Sequence, residues 1–110
     1  MVNLFIDPDI RKANTLPASF YRDREWFDRT TDRVFRRFWH YAADTTAIEA
    51  PQSLHPFTLL PGVLDEPLLL SKDKAGNAYC LSNVCTHRGK VLVEAPSQKK
   101  LISCNYHGRC

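Results

Sequence analysis

Two short stretches constrain this chain of 110 residues more than anything else in it: "CTHRGK", residues 85–90, and "CNYHGR", residues 104–109. Each sets a thiol and an imidazole close together, Cys85-x-His87 in the first and Cys104-x-x-His107 in the second, with sixteen residues between His87 and Cys104. Two loops that each offer one thiolate and one imidazole can converge on a single centre, and any fold of this chain must then bring them side by side. A glycine follows each histidine closely, Gly89 and Gly108, where a tight loop calls for permissive backbone.

The rest of the sequence says what could carry such loops. Residues 1–22, punctuated by Pro8 and Pro17, read as an irregular arm. A helix is predicted over 23–39: Asp23 can cap it, Glu25 sits in its first turn, and Phe27, Thr31, Val34 and Phe38 recur at helical spacing. Glu25–Arg29 and Asp32–Arg36 are acid-before-base pairs four apart on a face of alternating charge, the pattern of a solvated surface. Trp26, Phe27, Phe35, Phe38 and Trp39 are expected in a core or an interface. Beyond Trp39, Pro51, Pro56, Pro61 and Pro67 rule out long helices. "PFTLLPG" is β-like, and "PLLLSKD" and "NAYCLSN" flank a turn at Ala75–Gly76 as in a hairpin. "KVLVEA" and "KKLISC" are further short strand candidates, separated by "PSQ". The expected fold is mainly β, a helix followed by a small antiparallel domain over 40–110.

Composition narrows the function classes. The net charge of +3 is slight and scattered, which argues against nucleic acid as the main partner. No apolar run is long enough to cross a bilayer, and the acidic, proline-broken N-terminus does not read as a signal peptide. A cytoplasmic location is therefore expected, where cysteines stay reduced or bind metal.

Zinc can be held by cysteine and histidine, but zinc fingers group like with like, and here each loop is mixed. Cys-x-His is also a tight bite for two ligands on one tetrahedral ion. A dinuclear centre relieves this, with both cysteines on one iron, both histidines on the other and two sulfides between them. Replacing two thiolates by neutral imidazoles leaves such a [2Fe–2S] cluster less negative and raises its reduction potential. A zinc-stabilised interaction module remains the alternative.

"CTHRGKVLV" and "CNYHGR" resemble the two cluster-binding loops of Rieske-type non-haem iron oxygenases, the aromatic-ring-hydroxylating dioxygenase family, near the N-terminus of the large subunit. "LPASFYRDREWFDRTTDRVFRRFWHYA" is similar to the stretch preceding the Rieske domain there. The resemblance runs from about Leu16 to the chain end. It implies a Rieske 2Fe-2S cluster with Cys85 and Cys104 on the inner iron and His87 and His107 on the outer one. Arg88, Gly89, Lys90, Tyr106 and Gly108 would lie around it, with backbone amides of 86–90 and 105–109 turned toward the sulfides. It further implies single-electron transfer from a ferredoxin or flavin reductase to a mononuclear non-haem iron in a downstream domain, which His107 would face. The intact enzyme would be a homo-trimer or hetero-hexamer that hydroxylates or demethylates an organic substrate with dioxygen. No residue of this chain is expected to be catalytic in that oxidation.

Some positions depart from the pattern. High-potential Rieske proteins carry an extra, disulfide-forming cysteine in each loop, where this chain has Lys90 and Tyr106, which favours the oxygenase or ferredoxin type. Arg109 stands where many oxygenases have tryptophan. The chain stops three residues after His107, so the domain is expected to be truncated at its C-terminus and the chain to be an N-terminal fragment. A stand-alone Rieske ferredoxin is the rival reading. His40 and His55 are expected in ordinary structural roles, Cys80 as a small buried hydrophobe, and Cys110 as a terminal thiol.

Overall fold

The prolines that break up the second half of the sequence sit where a sheet tolerates them. The structure, a computed structural model, describes residues 4–109, and the chain divides between Trp39 and His40 into two units. The second unit holds four strands, β1 (Ser53–Leu59), β2 (Glu66–Lys72), β3 (Ala78–Ser82) and β4 (Ser97–Gln98), in the antiparallel order β3-β2-β1-β4. The mainly β fold expected from the sequence is observed. Pro56 lies in the middle of β1, an inner strand by order, yet β4 pairs only with Ser53 and Leu54. Past that point β1 is an edge, and proline's missing N–H breaks no ladder. Pro67 is the second residue of β2, and its carbonyl accepts from the Asn83 N–H at 2.9 Å.

The β2–β3 hairpin forms as the sequence predicts, with Leu70 opposite Cys80 and Lys72 opposite Ala78. Asp73 organises the turn, accepting from the Asn77 backbone N–H and from its Nδ2, each at 2.9 Å. Gly76 takes the positive φ of 94° that the turn requires. β3 is the outer strand and every one of its residues is exposed. Cys80 is therefore on the surface, not the buried hydrophobe expected; Cys110 lies outside the described residues.

The two later strand candidates do not form strands. "KVLVEA" contributes only an isolated bridge, Val91 to Val84. The reason is Asn83, which is 2% exposed. Its Oδ1 accepts from Val93 N–H at 2.9 Å and its Nδ2 donates to Val93 C=O at 2.8 Å. One side-chain amide thus supplies both bonds that a neighbouring strand would have given. "KKLISC" has no ladder either; β4 falls instead on Ser97–Gln98, the stretch read as a separator.

The core consists of Leu54, Leu69 and Val93, with Leu92 and Ile102 packed against it. Leu69 is wholly buried, worth roughly 1.5–3 kcal/mol. Leu92 and Val93 follow the first motif closely and Ile102 precedes the second by two residues. The sheet therefore anchors both motifs through one small cluster.

In the first unit, α1 (Ala18–Arg22) lies inside the stretch read as an irregular arm. α2 (Arg24–Thr30) is capped by Asp23, whose side chain accepts from Glu25 N–H at 2.9 Å, typically worth about 1 kcal/mol. The helix widens into a π-helical turn at Thr31–Phe35, closed by Arg36 N–H on Thr31 C=O at 2.9 Å, so it ends before residue 39. Both anticipated ion pairs are present, Arg29–Glu25 at 3.7 Å and Arg36–Asp32 at 3.2 Å. Phe27, Phe35, Phe38 and Trp39 are exposed, not in a core as one expectation had it, and Trp39 is fully so. Too few apolar residues surround these short helices to cover them. Among the described residues no helix is long and apolar enough to cross a membrane.

Candidate metal centre

The two motifs fold into the same hydrogen-bonded frame. In the first, Cys85 N–H donates to Lys90 C=O at 2.7 Å and Gly89 N–H donates to Cys85 C=O at 2.9 Å. In the second, Cys104 N–H donates to Arg109 C=O and Gly108 N–H to Cys104 C=O, both at 2.8 Å. Each loop is thus closed by its cysteine on the residue five further on. Each also turns on a glycine four further on, at φ 69° for Gly89 and 68° for Gly108. Only the histidine differs, third in one loop and fourth in the other.

The frames sort the four candidate ligands by type. Cys85 and Cys104 are buried, at 6% and 3% exposure, while His87 and His107 lie exposed above them. The Cys85 side chain is near enough to Cys104 to help hold its thiol below the ordinary range. The imidazoles meet with Nδ1 of His107 3.1 Å from Nδ1 of His87 and their ring centroids 4.9 Å apart. Two nitrogens on one tetrahedral ion, with bonds of about 2.1 Å, stand about 3.4 Å apart, so this separation is close to a one-ion bite. Among the described residues no group of three or more His, Cys, Asp or Glu side chains is placed to hold a metal ion. The donors sort into two pairs, buried thiols and exposed imidazoles, a set that a dinuclear [2Fe–2S] centre would fit.

The surroundings favour negative charge on sulfur. The Cys104 thiol is pulled below its ordinary range, first by the Tyr106 backbone N–H. The Cys85 side chain, the His107 N–H and the charge of Lys90 add to this, against the opposing cost of burial. Tyr106 also lays its ring against His107, centroids 4.1 Å apart. Lys90 and Arg109 contribute their carbonyls to loop closure, and Arg88 is exposed beside His87. The amides expected to face sulfides are partly committed elsewhere: those of Gly89 and Gly108 are taken by cysteine carbonyls, because a tight loop must first satisfy itself. Asn83 was not foreseen as part of this region. Its signal was available in "LSNVCTH", a polar residue between a strand and a ligand.

Residues 39–110 match the family described as Rieske [2Fe-2S] domain. The chain belongs to that family. Among its relatives, choline monooxygenase of Spinacia oleracea is 32% identical over 104 residues, 93% of this chain and 23% of the relative. The large oxygenase component of the naphthalene 1,2-dioxygenase system of Pseudomonas aeruginosa is 33% identical over 87 residues, 78% of this chain and 18% of the relative. A crystal structure of the quaternary ammonium Rieske monooxygenase CntA with L-carnitine superposes with a TM-score of 0.77 at 26% identity, covering 87% of this chain and 26% of that one. This Rieske chain therefore spans between 18% and 26% of the length of these relatives. They are oxygenases, so the likeness carried by the two loops holds.

Proposed function

We propose that this chain holds a Rieske 2Fe-2S cluster through Cys85, Cys104, His87 and His107, and that it serves as the electron-transfer part of an oxygenase large subunit. The observation that carries this is the sorting of ligands, two buried thiols and two exposed imidazoles with Nδ1 atoms 3.1 Å apart. When bound, such a cluster takes up and gives back one electron at a time. The protein's part is to keep water from the thiol side, to offset thiolate charge with the Tyr106 and His107 N–H groups, and to leave the histidine edge open. That edge is the natural exit for the electron, because both histidines are exposed there.

The relatives are named for choline, carnitine and naphthalene oxygenation, which supports an organic substrate oxidised with dioxygen; a mononuclear iron outside this chain belongs to the same proposal. A ferredoxin or flavin reductase as donor, a trimeric or hexameric assembly and a reducing compartment such as the cytoplasm belong to the same reading. The test is low-temperature electron paramagnetic resonance on dithionite-reduced protein, with iron and sulfide assayed in parallel. The expected result is a mixed-ligand signal whose average g-value lies below that of all-cysteine clusters. Stoichiometric zinc with no signal would replace the cluster by a structural zinc site.

A further inference from the structure

The sheet has two open edges, and they are not protected alike. β1 beyond Leu54 carries Pro56, which hinders pairing there. β3 forms the other edge; every one of its residues is exposed, and it contains no proline and no charged side chain. Its pairing with β2 runs in one unbroken register from Lys72–Ala78 to Leu68–Ser82, so no bulge turns the edge away either. The hydrogen bonds at its two ends fix which groups it leaves open. Asp73 N–H donates to Asn77 C=O and Asn83 N–H to Pro67 C=O, both at 2.9 Å, and both pairs continue the β2–β3 register. Bonded pairs alternate along an antiparallel ladder. Tyr79 and Leu81 therefore bond inward, to Ser71 and Leu69, while Ala78, Cys80 and Ser82 turn their N–H and C=O groups outward. Among the described residues no other strand meets them.

We propose that this edge pairs with β3 of a second copy of the chain, antiparallel about a two-fold axis at Cys80. The strand is its own complement in that register. Cys80 lies opposite the partner's Cys80 and Ala78 opposite the partner's Ser82, so each outward N–H of one copy meets an outward C=O of the other. A slip of one residue would set outward groups against inward ones, and a slip of two would leave the strand ends unpaired. Side chains match as well: small residues at 78, 80 and 82 alternate with Tyr79 and Leu81, and the order of sizes is the same read in either direction. Tyr79 and the partner's Leu81 then form a non-bonded pair, where side chains approach most closely. By register both lie on the face of Leu69, yet Tyr79 is 49% exposed and Leu81 41%. A concavity of about 370 Å³ opens beside Leu81, lined also by Leu92 and Ile102, and the partner's Tyr79 arrives at its rim. The core face thus continues from one copy into the other. A two-fold contact joins two copies and no more, so it differs from the contact that closes a trimer. Five paired residues span only about 17 Å, which sets the dissociation constant on the order of tens of micromolar. Each copy carries a net charge of +3, so association tightens as salt screens the repulsion. The contact belongs to the sheet and holds whatever the two loops bind.

The test is sedimentation equilibrium of the whole chain from about 5 to 500 µM, with a phosphine reductant present to exclude disulfides. Wild type is expected to pass from monomer to dimer over this range. Cys80→Pro removes an outward N–H and leaves the bonds to β2 in place, so it is expected to weaken the dimer at least about tenfold. Cys80→Ser keeps the backbone and is expected to stay within about twofold of wild type. Ala78→Lys/Ser82→Lys sets like charges opposite each other at both ends of the pair, for a loss of about fivefold. Ala78→Lys/Ser82→Glu sets each introduced lysine opposite an introduced glutamate of the second copy, and is expected to match wild type or bind more tightly. If proline disturbs folding, seen by circular dichroism, the two charge variants decide alone, because side chains 78 and 82 are exposed and lie on the face away from Leu69. A wild type that stays monomeric at about 500 µM, a well-folded Cys80→Pro that still dimerises, a dimer lost in Cys80→Ser, or equal weakening by both charge variants would each overturn the proposal.

Discussion

The loop at 85–90 and the loop at 104–109 share a backbone but not a histidine position, and they are held from behind by different means. Cysteine-to-i+5 closure and a left-handed glycine at i+4 occur in both. The first is backed by the Val84–Val91 bridge and by the Asn83 clamp on Val93. In the second, the Tyr106 and His107 N–H groups turn in to Cys104, and the Tyr106 ring rests on His107. The difference teaches that cysteine and glycine fix the frame while the histidine is free to move by one residue along it. Offsetting the histidines in this way lets two similar loops, facing each other, bring their imidazoles to 3.1 Å.

The strongest way to break the comparison is to remove a ligand from one loop only. Cys85→Ala and His107→Ala are each expected to abolish the reduced resonance signal and the visible colour, since neither pair can hold its iron with one member missing. A variant that kept the full signal would remove that residue from the ligand set. Next comes the shared support. Leu69→Ala should cost about 2–5 kcal/mol in chemical denaturation, because the site is fully buried. It should also loosen both loops together. Asn83→Ala tests the asymmetry: it strands the buried Val93 N–H and C=O, at about 1–3 kcal/mol for each unsatisfied group. Hydrogen exchange should then rise in residues 91–93 and in the first loop before the second; equal protection in both would mean the clamp serves the whole domain.

Much of this was legible in the sequence, for different reasons in different places. The hairpin could be read because Asp73, Gly76 and Asn77 combine turn chemistry with alternation on either side. The ligand loops could be read because metal chemistry leaves few uses for two mixed pairs at this spacing. The strands assigned to "KVLVEA" and "KKLISC" could not be corrected from sequence, since Leu92, Val93 and Ile102 do pack in the core while Val91 and Leu101 stay exposed, a mixture that a strand could also give. What differs is where their backbone bonds go, and Asn83 intercepts those of Val93. Cys80 was misplaced because alternation marks a strand without saying that the strand is an edge. In the helical unit, Asp23 and the i,i+4 pairs were visible as local chemistry. α1 was not, since its five residues carry no side-chain cap.

Gly89→Ala and Gly108→Ala sharpen the claim that the frames are equivalent. A Cβ at either position meets nothing within 4 Å, so only the left-handed backbone opposes it. Each change is expected to cost about 1–2 kcal/mol, and the two costs should agree within about 0.5 kcal/mol. Asparagine at the same sites should recover part of the loss, because it tolerates that conformation. Unequal costs would mean that one loop relaxes where the other does not.

The smallest expected effect lies in a side-chain contact that belongs to the second loop. Tyr106→Ala removes a ring 4.1 Å from His107, an interaction of about 1 kcal/mol. It leaves the backbone N–H that Tyr106 turns to Cys104, so ligation should survive and only the hold on the imidazole should weaken. Loss of visible absorbance under chelator should then quicken by about fivefold, with the reduced resonance signal unchanged in shape. Substitution of Thr86, which lies one residue after Cys85 in the first loop and makes no such stack, should leave that rate near wild type. An equal acceleration from both would mean that the ring against His107 does nothing particular, and that the second loop depends on its backbone frame alone.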